Sequence, residues 1–222
     1  MGTPMLKLWG RVSSANVQKV LWVLDELGLA YSREEAGLHF TANKTPDYLL
    51  KNPNGRVPLL EDGAFRLWES NAICRYLCNR SLASKGQPER ASTVASRLYP
   101  ENSQSRGLVD QWLDWTLWGI TAPMVIVFQQ HVRISEEKRD KQKLAEAEQQ
   151  ANELLEIINQ QLLRSPFLVG DELTLADVVL APTVYRANVL GLEGTKAVPL
   201  QGWLGRLSEN ASYNRWVAVP LS

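Results

Sequence analysis

The spacing of apolar residues changes character near residue 80, and that change restricts the chain to a small set of folds. Up to that point short apolar runs alternate with helical spacing. Pro4–Gly10 carries Met5, Leu6, Leu8 and Trp9 and reads as a buried strand. Ala15–Leu27 sets Val17, Val20, Leu21, Leu24 and Leu27 on one helical face, with Gly28 as the stop. Leu29–Glu35 is a second, weaker strand. Thr45–Lys51 opens with Thr-Pro-Asp, and proline is tolerated in a first helical turn. Arg56–Leu60 and Ala64–Leu67 flank Glu61-Asp62-Gly63, which predicts a hairpin. Glu69–Asn79 is helical again. Strand, helix, strand, helix, hairpin, helix predicts an α/β domain over residues 1–80.

Residues 81–90 read as a linker, with Ser81, Ser84, Gly86 and Pro88. The remainder, residues 91–222, shows no strand pattern and reads as an all-α domain. Ser105–Val127 is rich in Trp and Leu, and Pro123 is expected to kink or divide it. Ser135–Leu163 predicts a long charged helix with Leu144, Ala147, Ala151, Leu154, Ile158 and Leu162 on its apolar face and a solvated start over Glu136–Lys143. Thr174–Val189 and Leu200–Leu207 predict two more helices.

Composition excludes several classes of function. Lys+Arg number 24 and Asp+Glu 24, a formal net charge of zero, and the two signs are nearly balanced in each half. A protein that grips nucleic acid or an anionic membrane needs clustered basic charge, so neither partner is expected. No apolar run reaches the ~18 residues of a membrane span, and Met1–Gly10 lacks a cleavable leader pattern. A cytoplasmic protein is expected. The two cysteines, Cys74 and Cys78, give neither a disulfide framework nor a CxxC redox pair. With His39 and His131 as the only histidines, no metal is expected.

Three segments carry groups suited to chemistry, and each admits a purely structural reading. Asn52-Pro53-Asn54-Gly55-Arg56-Val57-Pro58 precedes an apolar strand. It is either a tight turn or, with a cis bond before Pro58, an edge where the Val57 N–H and C=O meet a peptide-like ligand. Trp68-Glu69-Ser70-Asn71 stands where a strand passes into a helix. It either caps that helix or holds an amino-acid head group, carboxylate on the helix start and ammonium on Glu69. Gly10-Arg11-Val12-Ser13-Ser14-Ala15-Asn16 lies at the carboxyl end of the first strand, where α/β sheets expose their reactive edge. Its serines either cap the helix or donate a hydrogen bond to a ligand's thiolate.

Together these segments resemble the cytosolic glutathione transferases, and the resemblance spans essentially the whole chain. It implies a thioredoxin-like domain followed by a helical one, with glutathione as co-substrate. Pro58 then matches the family's cis-proline, and Val57 pairs main chain to main chain with the cysteinyl part of glutathione. Glu69 and Ser70 match the residues that hold the γ-glutamyl group. Arg56, and more weakly Lys44, fall near the glycyl end. Ser14 aligns with the serine of the family's bacterial-type, serine-using members, although Ala15-Asn16 replaces the proline usual after it. Ser13 and Asn16 remain rival donors to sulfur. The tyrosine- and cysteine-using patterns are absent from this turn. Gly170–Asp177 resembles the family's buried capping motif, with Thr174 as N-cap and Asp177 in the third helical position.

The resemblance implies a transferase that activates the glutathione thiolate for attack on small electrophiles in detoxification, with peroxidase activity as an addition. The alternatives on the same fold are a specialised isomerase or dehalogenase, or a non-catalytic binding module. The electrophile is expected where the two domains meet, against Trp112 and Trp115 on a helix that also carries Trp118. A homodimer is implied.

Overall fold

The computed structural model describes residues 6–83 and 89–221. The expected contribution of Met5 to the first strand, and of Ser84, Gly86 and Pro88 to a linker, lies outside the described residues. Contacts divide the chain into two units, Met1–Tyr99 and Pro100–Ser222.

The first unit is a four-stranded sheet with helices on it. Strands β1 (Leu6–Trp9), β2 (Tyr31–Glu34), β3 (Leu59–Asp62) and β4 (Phe65–Trp68) stand in the order β2-β1-β3-β4. β1 runs parallel to β2 and antiparallel to β3, and β3 pairs antiparallel with β4. The parallel pair requires a crossover, and α1 (Ala15–Glu26) supplies it. α1 packs against α3 (Ser70–Ala83), with α2 (Pro46–Lys51) on the connection between β2 and β3. Val17, Val20, Leu21 and Leu24 of α1 meet a core that includes Leu6, Leu8, Leu60, Ile73 and Leu77, all essentially without solvent contact. Cys74 and Cys78 are in this core. Burial pushes the Cys74 thiol up to about 12 against the opposing charges of Lys19 and Arg75, and raises that of Cys78 too. This is the thioredoxin-like arrangement that the resemblance implies.

Two details differ from expectation. The hairpin turn is Gly63-Ala64, one position later than predicted, because Glu61 and Asp62 remain in the strand. Glu61 is held there by Trp9 Nε1 at 2.5 Å, Lys51 at 3.2 Å and Arg66 at 2.7 Å. Beyond α3, a helix that the sequence reading did not isolate, α4 (Glu89–Leu98), packs along α3 through Ala91, Ala95 and Leu98.

Every described element of the second unit is helical: α5 (Ser103–Trp118), α6 (Thr121–Phe128), α7 (Lys141–Leu162), α8 (Leu175–Val189), α9 (Val198–Ser208) and α10 (Ala211–Trp216), with short 3-10 and π turns between. The Trp-rich segment does divide, at Gly119 rather than at Pro123. Pro123 sits in the first turn of α6, where its missing N–H goes unneeded. Gly119 lies so close to α5 that an added Cβ would be 2.7 Å from the Trp115 carbonyl oxygen. The charged run Glu136–Lys143 also divides, into a 3-10 turn over Glu136–Lys138 and a start of α7 capped by Asp140, which accepts the Lys143 N–H at 3.0 Å. On α7 Leu162 is buried as expected, but in the middle of the helix Leu155 is buried rather than Leu154. α8 is buried almost all round from Leu175 to Val184, as a helix at the centre of a bundle must be.

Candidate active site

The start of α1 has a polar N-cap residue yet no side-chain cap, unlike those of α2, α5, α7, α8 and α10; α6 and α9 lack one behind the apolar Ile120 and Ala197. Thr45, Asn102, Asp140, Thr174 and Asn210 each accept a backbone N–H of their own helix. Ser14 occupies the same N-cap position, with extended backbone, and its side chain caps nothing. Its hydroxyl has no partner among the described residues, although the residue is only 9% exposed. The first-turn N–H groups of Ala15 and Asn16 likewise meet no acceptor among the described residues. A helix start with an idle hydroxyl and idle N–H groups suits an anion. Ser13 is half-buried and has a partner of its own.

The Asn52–Pro58 loop is fixed by side chains that hold its carbonyls. Asn52, buried, donates to the Arg56 carbonyl at 2.8 Å, and its own side-chain oxygen takes the Asn54 N–H at 3.1 Å. The Tyr48 hydroxyl donates to the same Arg56 carbonyl at 2.6 Å, and burial raises that phenol to about 12. Asn43 donates to the Gly55 carbonyl at 2.6 Å and accepts the Gly37 N–H at 3.0 Å. Gly55 has φ +58°, and a Cβ there would press on the Asn43 carbonyl oxygen at 3.2 Å, so glycine is favoured at the position. The Val57–Pro58 bond is cis. The Val57 side chain packs toward Ala36, Tyr48 and Leu59. The two carbonyls before Val57 are thus occupied, while the Val57 N–H and C=O bond to no described residue. Asn43 and Tyr48 were not singled out by sequence reasoning. Their role depends on contacts across the loop, which leave no local signature.

At the passage from β4 to α3, Glu69 has φ +72°. A side chain with Cβ in that region raises the energy by about 1–3 kcal/mol, and such residues gather at ligand clamps. Its carbonyl accepts the Ile73 N–H at 2.9 Å, so Glu69 is the last residue before the helix, with its carboxylate exposed and unpaired among the described residues. Ser70 is buried, and its Oγ lies 3.4 Å from Asn16 Oδ1. This contact joins two of the three candidate segments, 54 residues apart in sequence. The third reaches the same edge through the Gly37 backbone, against which both Val57 and Arg11 pack. Arg56 and Lys44 are exposed, and neither side chain is engaged by a described residue.

The tryptophans lie in the second unit. Trp112 and Trp115 meet edge to face at 5.3 Å and line a groove of about 390 Å³ between α5 and α7, with Glu153, Glu156, Gln160 and Arg164. Trp118, three residues further along the same helix, is 75% exposed. The capping motif is present: Thr174 accepts the Ala176 N–H at 3.2 Å while Asp177 accepts the Thr174 N–H at 3.0 Å. Asp177 also takes the Leu168 N–H and Trp203 Nε1, each at 2.9 Å. Burial pushes its carboxyl up, and these donors pull it back.

Comparison with known proteins agrees with this geometry. Two family models match: the glutathione S-transferase N-terminal domain over residues 4–79 and the C-terminal domain over residues 141–218. Glutathione S-transferase GstB of Escherichia coli strain K12 is 34% identical over 220 residues, 98% of this chain and 100% of its own. Glutathione S-transferase F12 of Arabidopsis thaliana is 30% identical over 216 residues, 96% of this chain and 91% of its own. A theta class glutathione S-transferase from Xanthomonas axonopodis pv. citri, solved with glutathione bound, superposes with a TM-score of 0.87 at 37% identity, covering 99% of this chain and 100% of that one. The chain belongs to the cytosolic glutathione S-transferase family and is a glutathione transferase.

Proposed function

We propose that the first unit holds glutathione along the Val57 edge and that the Ser14 hydroxyl keeps its sulfur anionic for attack on small electrophiles. The observation that carries this reading is the idle hydroxyl of Ser14 at a helix start whose N–H groups are also idle. Asn16 and Ser13 are the rival donors. The Asn16 side chain is turned toward Ser70 and Lys19 rather than toward the Ser14 hydroxyl, and Ser14 alone of the three combines burial with an idle hydroxyl at the N-cap, which favours Ser14.

The magnitudes suffice. A thiol with a pKa near ~8.5 is about 3% ionised at pH 7. Lowering the pKa to ~6.5 makes it about 75% ionised and requires about 2.7 kcal/mol of preference for the thiolate. One hydrogen bond to a charged acceptor supplies about 1.5–3 kcal/mol. The helix start adds about 0.3–1 kcal/mol. The hydroxyl donates to sulfur throughout and is never the nucleophile. The sulfur attacks an electrophilic carbon, the carbon–leaving-group bond breaks, and the leaving group departs with its electron pair. With a hydroperoxide the same thiolate attacks the terminal oxygen, the O–O bond breaks and the alkoxide leaves to be protonated, and a second glutathione converts the resulting sulfenic acid to disulfide and water.

In this reading Val57 pairs main chain to main chain with the cysteinyl unit, beside the cis Pro58. Glu69 and Ser70 receive the γ-glutamyl ammonium and carboxylate, and Arg56 and Lys44 stand at the glycyl end. Trp112 and Trp115 are the proposed aromatic wall for the electrophile. We also propose a homodimer, supported by Phe65 and Trp68 of edge strand β4, exposed at 47% and 38%. Light scattering that returns the monomer mass of 25.0 kDa contradicts the dimer.

Calorimetry tests the site. Glu69→Ala and Ser70→Ala should weaken glutathione binding, by about ten-fold where a charged hydrogen bond is lost. Ser14→Ala should leave affinity near native while slowing conjugation to an activated aryl chloride. Native affinity in both Glu69→Ala and Ser70→Ala overturns the head-group assignment.

A further inference from the structure

Lys19 is 1% exposed, a burial that lysine almost never shows without a local task. It lies on the second turn of α1, and its Nζ donates to Asn16 Oδ1 at 3.0 Å. The Ser70 Oγ lies 3.4 Å from the same oxygen, long for a hydroxyl donor, so the lysine bond dominates. An ammonium can only donate, so chemistry itself settles that the atom facing Lys19 is the amide oxygen. The Asn16 Nδ2 group must then face the other way. Asn16 is exposed, and its two amide N–H bonds donate to no described residue.

We propose that Lys19 is a positioning residue: it turns the Asn16 amide so that Nδ2–H donates to the γ-glutamyl carboxylate of bound glutathione, next to Ser70. This rests on the reading above that the tripeptide's head group lies at Ser70. Asn16 meets Ser70 rather than the Ser14 hydroxyl, so the carboxylate and not the sulfur is its ligand group. Lys19 is buried and reaches the head-group pocket through Asn16. Loss of the arrangement should therefore weaken glutathione binding and leave the thiol's ionisation alone.

Steady-state kinetics with glutathione varied, together with titration of the bound thiol, tests the assignment. Lys19→Met should raise KM for glutathione by about ten-fold, with kcat and the bound-thiol pKa near wild type. Lys19→Arg, which still donates to the amide oxygen, should recover most of the loss. Asn16→Asp keeps an acceptor for Lys19 but replaces the outward N–H donors by a carboxylate oxygen. It should fold and yet bind glutathione at least as poorly as Lys19→Met. A merely structural lysine predicts the opposite, since Asn16→Asp strengthens the pair. Native KM in Asn16→Asp overturns the proposal, as does a raised thiol pKa with unchanged KM in Lys19→Met. If Lys19→Met yields no folded protein, Asn16→Asp alone decides. Wild type that fails to bind immobilised glutathione defeats the functional reading itself, and this proposal with it. Wild type that binds beside an unimpaired Asn16→Asp defeats the Lys19 assignment alone.

Discussion

Ser14 and Thr174 stand at equivalent positions on two helices, both with little exposure, both with a hydroxyl. At Thr174 every polar group is satisfied from within. Its hydroxyl oxygen takes the Ala176 N–H, and Asp177 returns an acceptor to its main chain while also holding Leu168 and Trp203. At Ser14 the hydroxyl and the neighbouring first-turn N–H groups are left open. A capping side chain stabilises a helix by about 1 kcal/mol through its oxygen, and the Thr174 O–H also faces Asp177 Oδ2 at 3.2 Å, whereas Ser14 uses neither its oxygen nor its O–H within the described residues. The same residue chemistry thus builds the fold at one helix and a ligand site at the other. Their difference lies in what surrounds them.

Four experiments press on that contrast. Asp177→Ala should have the largest effect. Its removal leaves buried donors without an acceptor, at about 1–3 kcal/mol for each unpaired group, and a total loss of about 3–5 kcal/mol should appear in urea unfolding. Specific activity of the molecules still folded should not change. Next, Ser14→Ala should slow conjugation at pH 7 by about ten-fold or more, while unfolding free energy changes by no more than about 0.5 kcal/mol, since no capping bond is lost. A stability loss like that of a true cap would erase the contrast. Thr174→Ala should show the reverse pattern, about 1–2 kcal/mol less stable with activity intact.

The smallest effect concerns pH. Burial raises the Asp177 carboxyl above its ordinary value. Between the ordinary Asp value of about 3.9 and the raised one, the folded protein holds a proton that the unfolded chain has released. Stability attributable to this group is therefore full below that window and declines as pH rises through it. Asp177→Asn should flatten the decline in urea midpoints measured across mildly acidic pH. A steeper decline in the variant contradicts the sign.

The sequence made the first unit largely legible because its elements are short, strongly apolar and clearly punctuated. α1 begins at Ala15 as its spacing predicts and ends at Glu26, with Leu27 as C-cap and the predicted stop Gly28 in the left-handed region just beyond. Where the reading slipped, a tertiary contact outweighed a local signal. Glu61-Asp62-Gly63 looks like a turn, yet Trp9, Lys51 and Arg66 hold Glu61 in the strand. Leu154 fits the apolar spacing of α7 as well as Leu155, and only the neighbouring helices select the latter. α4 and α10 were missed although Ala91, Ala95 and Leu98, and the Asn210 cap, carried a signal. For the site, sequence alone pointed to the three candidate segments. It could not show that Asn16 reaches Ser70, that Asn43 and Tyr48 hold the Val57 loop, or that Glu69 has a left-handed backbone. Each of these is a relation between distant residues or a conformation forced by them.

The central claim is that Ser14 supports a thiolate. Ultraviolet titration of glutathione bound to wild type and to Ser14→Ala measures that ionisation without any electrophile. Wild type should titrate at about 6.5 and the variant should return toward the free value of about 8.5. The same depressed value in both proteins, or a bound thiol in wild type that titrates like free glutathione, contradicts the account.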